Sequence, residues 1–311
     1  MRQFEVLEPT TLDEALGLLA HHADRAAVLN GGTDLLVEIR EELSRPSVVV
    51  NIKRVRELAV LGPLRVDPSQ GLSIHALTTV REITRSPAIR RYYEGLAEAA
   101  RVLGSVQVQA RATVAGNLCR ASPSADTLPP LMADDAVVDL VGPDGARSMP
   151  LVDFVTGPGQ TRLRPAELLS QIRVPAPAAR TGKIYLKQGR RQAMELATVG
   201  VAVALSLRDD DVCRQARVVL GAVAPTPIRV PEAEAALLGT PVSEVAIERA
   251  AEAAVAVARP ITDVRGSAAI RRHLVGVLTP RAIRGALARA LHAPASSALL
   301  PATSPNERNG S

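Results

Sequence analysis

Apolar positions along the chain change their period several times, and each change predicts an element. Residues 3–8 read as a short strand. Thr11-Leu12-Asp13-Glu14 has the form of a capping box, in which the Thr11 hydroxyl accepts from a backbone N–H and Glu14 reaches back. Leu12, Ala15, Leu16 and Leu19 then recur at helical spacing. A strand at 26–29, a short helix over 34–42 and a buried strand over 46–51 (PSVVVN) complete a small α/β unit. A second unit opens with an alternating strand at 71–77. Thr79-Val80-Arg81-Glu82 is a second capping-box candidate, and Ser86-Pro87 sets a cap residue before proline at a first helical position. The spacing predicts a helix over 87–103 ending at Gly104, strands at 136–141 and 168–174, and a turn at Pro143-Asp144-Gly145.

Pro175-Ala176-Pro177 reads as a linker, and the pattern changes beyond it. Strands are expected at 183–188, 199–208 and 212–223, the last two joined by a turn at 209–211. Helices follow at 231–238, 243–258, 267–278 and 280–292. Strands followed by helices indicate a separate α+β domain. The expected organisation is therefore 1–55, 56–177 and 178–292, with a tail from 293 to 311 that is rich in Ser, Pro, Ala and Asn and is expected to be disordered. No internal repeat is visible.

Composition removes several classes of function. The formal net charge of +5 and the pI of about 9.7 raise nucleic acid as a partner. Aromatics are only 2% with no Trp, however, so no stacking platform for bases exists. The arginines are scattered and often near acids, which reads as a solvated surface. The apolar run VGVAVALSL at 199–207 falls far short of the roughly 20 residues that a spanning helix needs. The N-terminus carries acids and lacks a long apolar core, so it does not read as a signal peptide. Cys119 and Cys213 form no CxxC pair, and two thiols cannot supply the four usual ligands of an iron–sulfur cluster. That cysteine usage points to the reducing cytoplasm. The histidines present no metal-ligand set. No Ser–His–Asp or Cys–His arrangement and no suggestive carboxylate pair is legible, which fits a protein whose cofactor does the chemistry.

Two stretches of small residues remain. Residues 28–36 read VLNGGTDLL, and residues 111–130 read RATVAGNLCRASPSADTLPP. A tight turn alone accounts for Asn-Gly. A second reading treats both stretches as backbone-exposing loops that approach one anion. Their N–H groups would then hold a pyrophosphate without lysine or arginine. Thr33 and Thr113 would add hydroxyl donors, and Asp34 and Asp126 would accept from sugar hydroxyls. On that reading Gly31 and Gly32 are bare because a dinucleotide lies against their backbone. Neither stretch matches the Rossmann or P-loop glycine pattern.

Together these segments resemble the FAD-binding medium subunit of the molybdenum hydroxylases, the family of carbon monoxide dehydrogenase medium subunits and of the xanthine dehydrogenase flavin domain. Its AGGTDL signature is matched by NGGTDLL at 30–36. Its TIGGN and ASPxAD signatures are matched by TVAGN at 113–117 and ASPSAD at 121–126. The likeness extends over nearly the whole chain, through Phe4 and Pro9, ELLSQIRVP at 167–175, YLKQGRR at 185–191 and VRGSAAIRRHL at 264–274. Departures include Ala115 where the family has a second glycine, QVQA at 107–110 for QIRN, and Glu195-Leu196-Ala197 for Asp-Ile-Ala.

The resemblance implies an α+β chain: a two-part α/β FAD-binding domain of the PCMH type, then a C-terminal domain with a three-stranded antiparallel sheet and a helical bundle. It implies FAD contacts from Leu29, Asn30, Gly31, Gly32, Thr33 and Asp34 in the first loop, and from Thr113, Gly116, Asn117, Ser122 and Asp126 in the second. Leu169 would pack on the flavin ring, and Lys187 would lie near its polar edge. It also implies a molybdopterin-containing large subunit and a small subunit with [2Fe-2S] clusters, arranged as a dimer of heterotrimers. FAD would pass electrons on to NAD, a quinone or O2. Two other readings stay open: a stand-alone flavoenzyme acting on its own small molecule, and a structural subunit without FAD.

Overall fold

The computed structural model describes residues 3–60, 64–67 and 69–293; the expected disordered tail lies, from residue 294, outside them. The first unit alternates strand and helix: β1 (Glu5–Leu7), α1 (Leu12–His22), β2 (Ala26–Leu29), α2 (Leu35–Arg40), β3 (Val48–Asn51) and α3 (Arg56–Val60). Thr11 caps α1 by accepting from the Glu14 N–H. The three strands form a parallel sheet in the order β1-β3-β2, with Val48 opposite Glu5 on one side and Ala26 on the other. Ala15, Leu16 and Leu19 of α1 pack on Val48 and Val50, which buries the apolar side of the unit.

The second unit contains β4 (Leu64–Asp67), β5 (Gly71–His75), α4 (Val80–Arg85), α5 (Pro87–Tyr92), α6 (Glu94–Val102), α7 (Val106–Gln109), α8 (Val114–Arg120) and α9 (Leu128–Ala133). It continues through β6 (Val137–Gly142), β7 (Gly145–Pro150), α10 (Leu151–Phe154), the short pair β8 (Val155–Gly157) and β9 (Gln160–Thr161), and β10 (Leu168–Val174). Five strands pair antiparallel in the order β4-β5-β10-β6-β7. Alternate residues Leu72, Ile74, Val138, Leu140, Ile172 and Val174 enter the largest core beneath the helices. The helix expected over 87–103 is two helices. Tyr93 leaves helical geometry at φ −136° and ψ 51°, and its buried hydroxyl donates to the Pro175 carbonyl oxygen at 3.0 Å. That tertiary anchor holds the break.

The third unit is β11 (Thr181–Gln188), β12 (Val199–Leu207), β13 (Cys213–Gly221), β14 (Ile228–Arg229), α11 (Pro231–Leu237), α12 (Glu244–Val257) and α13 (Ala268–His292). The antiparallel sheet has four strands rather than the expected three, because two-residue β14 pairs with β13. Strand β12 is buried along its whole length. Val199, Val201, Val203 and Leu205 face the helices of this unit, while Ala202 and Ala204 face the core of the second unit. Small side chains on that second face let the two units pack closely. The helices expected at 267–278 and 280–292 are the single helix α13, with Pro280 inside it. Proline there removes one backbone hydrogen bond, at a cost of about 3 kcal/mol. Burial of Val275, Leu278, Ala282, Ile283, Ala286 and Ala290 against the sheet offsets it.

Candidate functional site

The first glycine stretch leaves β2 at Leu29 and enters α2 at Leu35. Gly32 reverses the chain with φ +78°, in the left-handed region that glycine occupies without strain. Gly31 has a different reason to lack a side chain. A Cβ there would lie 2.5 Å from the Arg111 carbonyl oxygen and 2.9 Å from the Ala112 Cα. The second stretch lies directly on it. This corrects the expectation that a ligand alone keeps both glycines bare: loop-to-loop contact accounts for Gly31, and chain reversal for Gly32.

The second stretch, read from sequence as a backbone-exposing loop, is helical over Val114–Arg120. Thr113 is the N-cap of α8, and its Oγ1 accepts from the Gly116 N–H at 3.0 Å. Ala115 sits buried inside that helix, where negative φ suits alanine. Ala121 ends α8 in a left-handed conformation. Asn117 Oδ1 then accepts from the Thr127 hydroxyl at 2.6 Å, and Ser122 Oγ from the Ser124 N–H at 3.3 Å. In the QVQA departure, Gln109 is a buried stitch: its Nε2 donates to the Arg101 and Leu103 carbonyl oxygens at 3.2 and 3.0 Å.

A third segment, residues 76–80 after β5, ties the two loops together. Asn30 Nδ2 donates to the Ala76 carbonyl oxygen at 2.8 Å. On the other side the Val114 N–H donates to Thr78 O, and the Val80 N–H to Ala112 O. The two loops so joined line a cleft of about 660 Å³, within the ~300–1,000 Å³ of small-molecule and cofactor sites. Asn30, Gly31, Gly32, Thr33, Asp34, Thr113, Gly116, Asn117, Ser122, Asp126 and Leu169 all line it.

Leu29 and Lys187 do not line the cleft. Leu29 packs under the turn, its Cδ1 2.7 Å from where a Gly32 Cβ would stand. Lys187 lies behind Asp126, paired with it at 2.8 Å, and both side chains are buried. The structure also adds wall residues that the sequence reading missed. Met194, Glu195 and Leu196 close one side from the third unit, and Glu38 and Arg120 form a 2.5 Å ion pair across the rim. Met194 holds φ +52°, a conformation that no sequence signal announces.

The electrostatics separate structural groups from available ones. Burial raises the Asp126 carboxyl, and its contacts with Lys187 and Tyr185 act against that. Hydrogen bonds from Arg147 hold Glu167 below the usual carboxylate range. Burial pushes the thiol of Cys119, which lines the cleft, up to about 12 and so favours its protonated form. Among the described residues, no group of three or more His, Cys, Asp or Glu could hold a metal ion. No helix among them is long and apolar enough to cross a membrane.

The wall fits a nucleotide cofactor in one specific respect. Asn30 lines the cleft, and its Oδ1 is buried with no hydrogen-bond partner among the described residues. Such an orphaned acceptor costs about 1–3 kcal/mol unless a ligand donor meets it. Residues 2–177 match the family described as the FAD binding domain in molybdopterin dehydrogenase. The chain belongs to that family. Residues 184–286 of this molybdopterin dehydrogenase FAD-binding chain match the CO dehydrogenase flavoprotein C-terminal domain.

This FAD-binding chain is 33% identical over 247 residues to the nicotinate dehydrogenase FAD-subunit of Eubacterium barkeri, covering 78% of the chain and 82% of the relative. It is 32% identical over 287 residues to the carbon monoxide dehydrogenase medium chain of Hydrogenophaga pseudoflava, covering 92% and 98%. Its fold superposes with a TM-score of 0.88 and 34% identity on a chain of the H. pseudoflava carbon monoxide dehydrogenase that lacks the Mo-pyranopterin moiety, covering 93% of this chain and 98% of that one. The chain is thus an oxidoreductase subunit of the molybdenum hydroxylase family, with an FAD-binding domain followed by a C-terminal domain.

Proposed function

We propose that this chain is the electron-transferring FAD subunit of a molybdopterin-dependent hydroxylase or dehydrogenase. Its substrate would be oxidised on a molybdopterin-containing large subunit, and electrons would arrive through a small subunit bearing [2Fe-2S] clusters. The terminal acceptor would be NAD, a quinone or O2. A dimer of heterotrimers in the cytoplasm is the assembly this reading carries. The relatives named as medium chains and FAD-subunits of multi-subunit dehydrogenases support that division of labour. So does the pair of cysteines, both buried or partly buried and free, which leaves no cluster ligands in this chain.

The observation that carries the reading is the junction at Gly31. Two loops remote in sequence touch there backbone to backbone and frame one cleft. Within it Asn30, Gly31, Gly32, Thr33 and Asp34 would hold one part of the dinucleotide, with Thr113, Gly116, Asn117 and Ser122 across from them. Leu169, buried on β10, offers an apolar wall. Bound FAD supplies the electron-carrying chemistry; the polypeptide supplies binding, orientation and electrostatics. The test is the visible absorption spectrum of the purified chain before and after incubation with FAD and desalting. Retained flavin bands at one FAD per chain are the expected result. A protein that stays colourless overturns the reading.

A further inference from the structure

Lys187 has no donor to spare for a cofactor. An ammonium carries three N–H donors. Lys187 Nζ bonds to the Val102 carbonyl oxygen at 3.0 Å, Asp126 Oδ2 at 2.8 Å and the Glu195 carbonyl oxygen at 2.7 Å. Those acceptors come from three different segments, and each segment lines the cleft there or one residue away: Leu103 after Val102, Asp126 itself, and Glu195. The other Asp126 oxygen accepts from the Tyr185 hydroxyl at 2.8 Å. Tyr185 and Lys187 stand two apart on β11, so both side chains leave the same face of the strand. The Tyr185 N–H is fixed in turn by Glu98 Oε2 at 2.8 Å.

We propose that Lys187 and Tyr185 are positioning residues that act on the cofactor through Asp126, holding its carboxylate as a charged acceptor in the cleft wall. The inference rests on the FAD reading above. An ionised carboxylate offers about four lone-pair sites, and two are spent on Tyr185 and Lys187. The remaining sites can accept from a hydroxyl or N–H of the flavin nucleotide. Charged groups around Asp126 are few. Lys187 and Tyr185 face it from β11. Glu195 meets Lys187 through its carbonyl, while its carboxylate turns to Arg190 and Arg191. Glu98 of α6 meets Tyr185 through the backbone and pairs with Arg289 of α13.

The consequence is a change of chemistry when Lys187 is removed. Burial already favours the protonated acid at Asp126, and Lys187 is the main opposing influence. In Lys187→Met the acid would take up a proton at a higher pH and become a donor where the cofactor needs an acceptor. The experiment is flavin-fluorescence titration of the full chain with FAD across about pH 6–9, with thermal unfolding of each variant. Wild type should bind with a flat pH profile. Lys187→Met should bind at least tenfold more weakly at the acid end and recover as pH rises. Asp126→Asn should be weak and flat, and the double variant no weaker than Asp126→Asn. Tyr185→Phe keeps the ring and should move the profile the same way by a smaller amount, which covers an unfolded Lys187→Met.

A pH-independent loss in Lys187→Met overturns the proposal, as does a double variant whose loss is the product of the two single losses. So does an unchanged profile in Tyr185→Phe. Wild type that binds no FAD at any pH overturns the flavin reading itself.

Discussion

The absent side chain of Gly31 is filled by the backbone of Arg111: a Cβ at 31 would stand 2.5 Å from that carbonyl oxygen. No rotamer relieves a clash between a Cβ and backbone, so one loop must move. Gly31→Ala should lower stability by about 1–3 kcal/mol, as overpacking does, and should weaken FAD retention in step. Gly17 of α1 is the control, since nothing stands within 4 Å of its missing Cβ and its φ is not positive. Gly17→Ala should raise stability by about 0.5–1 kcal/mol through helix propensity. Urea unfolding of both variants reads the two opposite signs.

That contact explains what was legible in the sequence and what was not. NGGTDLL and TVAGN announce close backbone approach, and both lie on the cleft. They do not announce that the approach is to each other, because contacts between remote segments leave no local pattern. The continuous apolar run of β12 was readable as a strand, since burial on both faces abolishes alternation. Continuity of α13 through Pro280 was not, because packing against the sheet overrides a local breaker. Tyr93 gave no sign of a helix break, since its anchor is Pro175, far along the chain. Glu38, Arg120 and Met194 reach the cleft by tertiary placement alone.

The Glu38–Arg120 pair joins α2 to the end of α8 across the cleft rim at 2.5 Å, with both side chains partly exposed. An ion pair of this exposure contributes about 0.2–1 kcal/mol. Arg120→Ala should therefore leave unfolding nearly unchanged. It should raise the rates of FAD uptake and release together by a few-fold, because the pair spans the opening rather than the floor. Stopped-flow fluorescence measures both rates. An increase in the release rate alone would assign Arg120 to direct cofactor contact instead.

His75 predicts a pH effect of defined sign. It is buried at 3% exposure, and neither ring nitrogen has a hydrogen-bond partner among the described residues. Burial, with a smaller contribution from Arg65, holds its pKa below the ordinary 6.5. Above 6.5 the ring is neutral in both folded and unfolded chains. Below it the unfolded chain binds a proton that the folded chain resists, so stability falls as pH drops. His75→Leu should flatten the dependence of Tm on pH between about 6.5 and 5, before most carboxylates titrate. An unchanged slope in that window would mean that His75 is not the titrating group.

Lysine is scarce in this arginine-rich chain, and two of its three lysines are buried in ion pairs: Lys187 with Asp126, and Lys183 with Asp134. Lys183 Nζ is 2.7 Å from Asp134 Oδ1, with both side chains almost fully covered, and sits 4.2 Å from the centre of the Tyr93 ring. A compact ammonium fits between carboxylate and ring where a planar guanidinium needs more room. Lys183→Met strands a buried carboxylate and should cost about 3–5 kcal/mol near neutral pH. Adding Asp134→Leu removes the stranded charge, and the double variant should return close to wild type. Burial raises the Asp134 carboxyl, and without Lys183 nothing of comparable strength opposes that. A raised folded pKa favours the folded state at pH values below it, so the single variant's deficit should shrink as pH falls. Urea unfolding of wild type, both single variants and the double at two pH values tests the whole argument. A double variant as unstable as Lys183→Met would show that packing around Tyr93, and not the uncompensated charge, sets the cost.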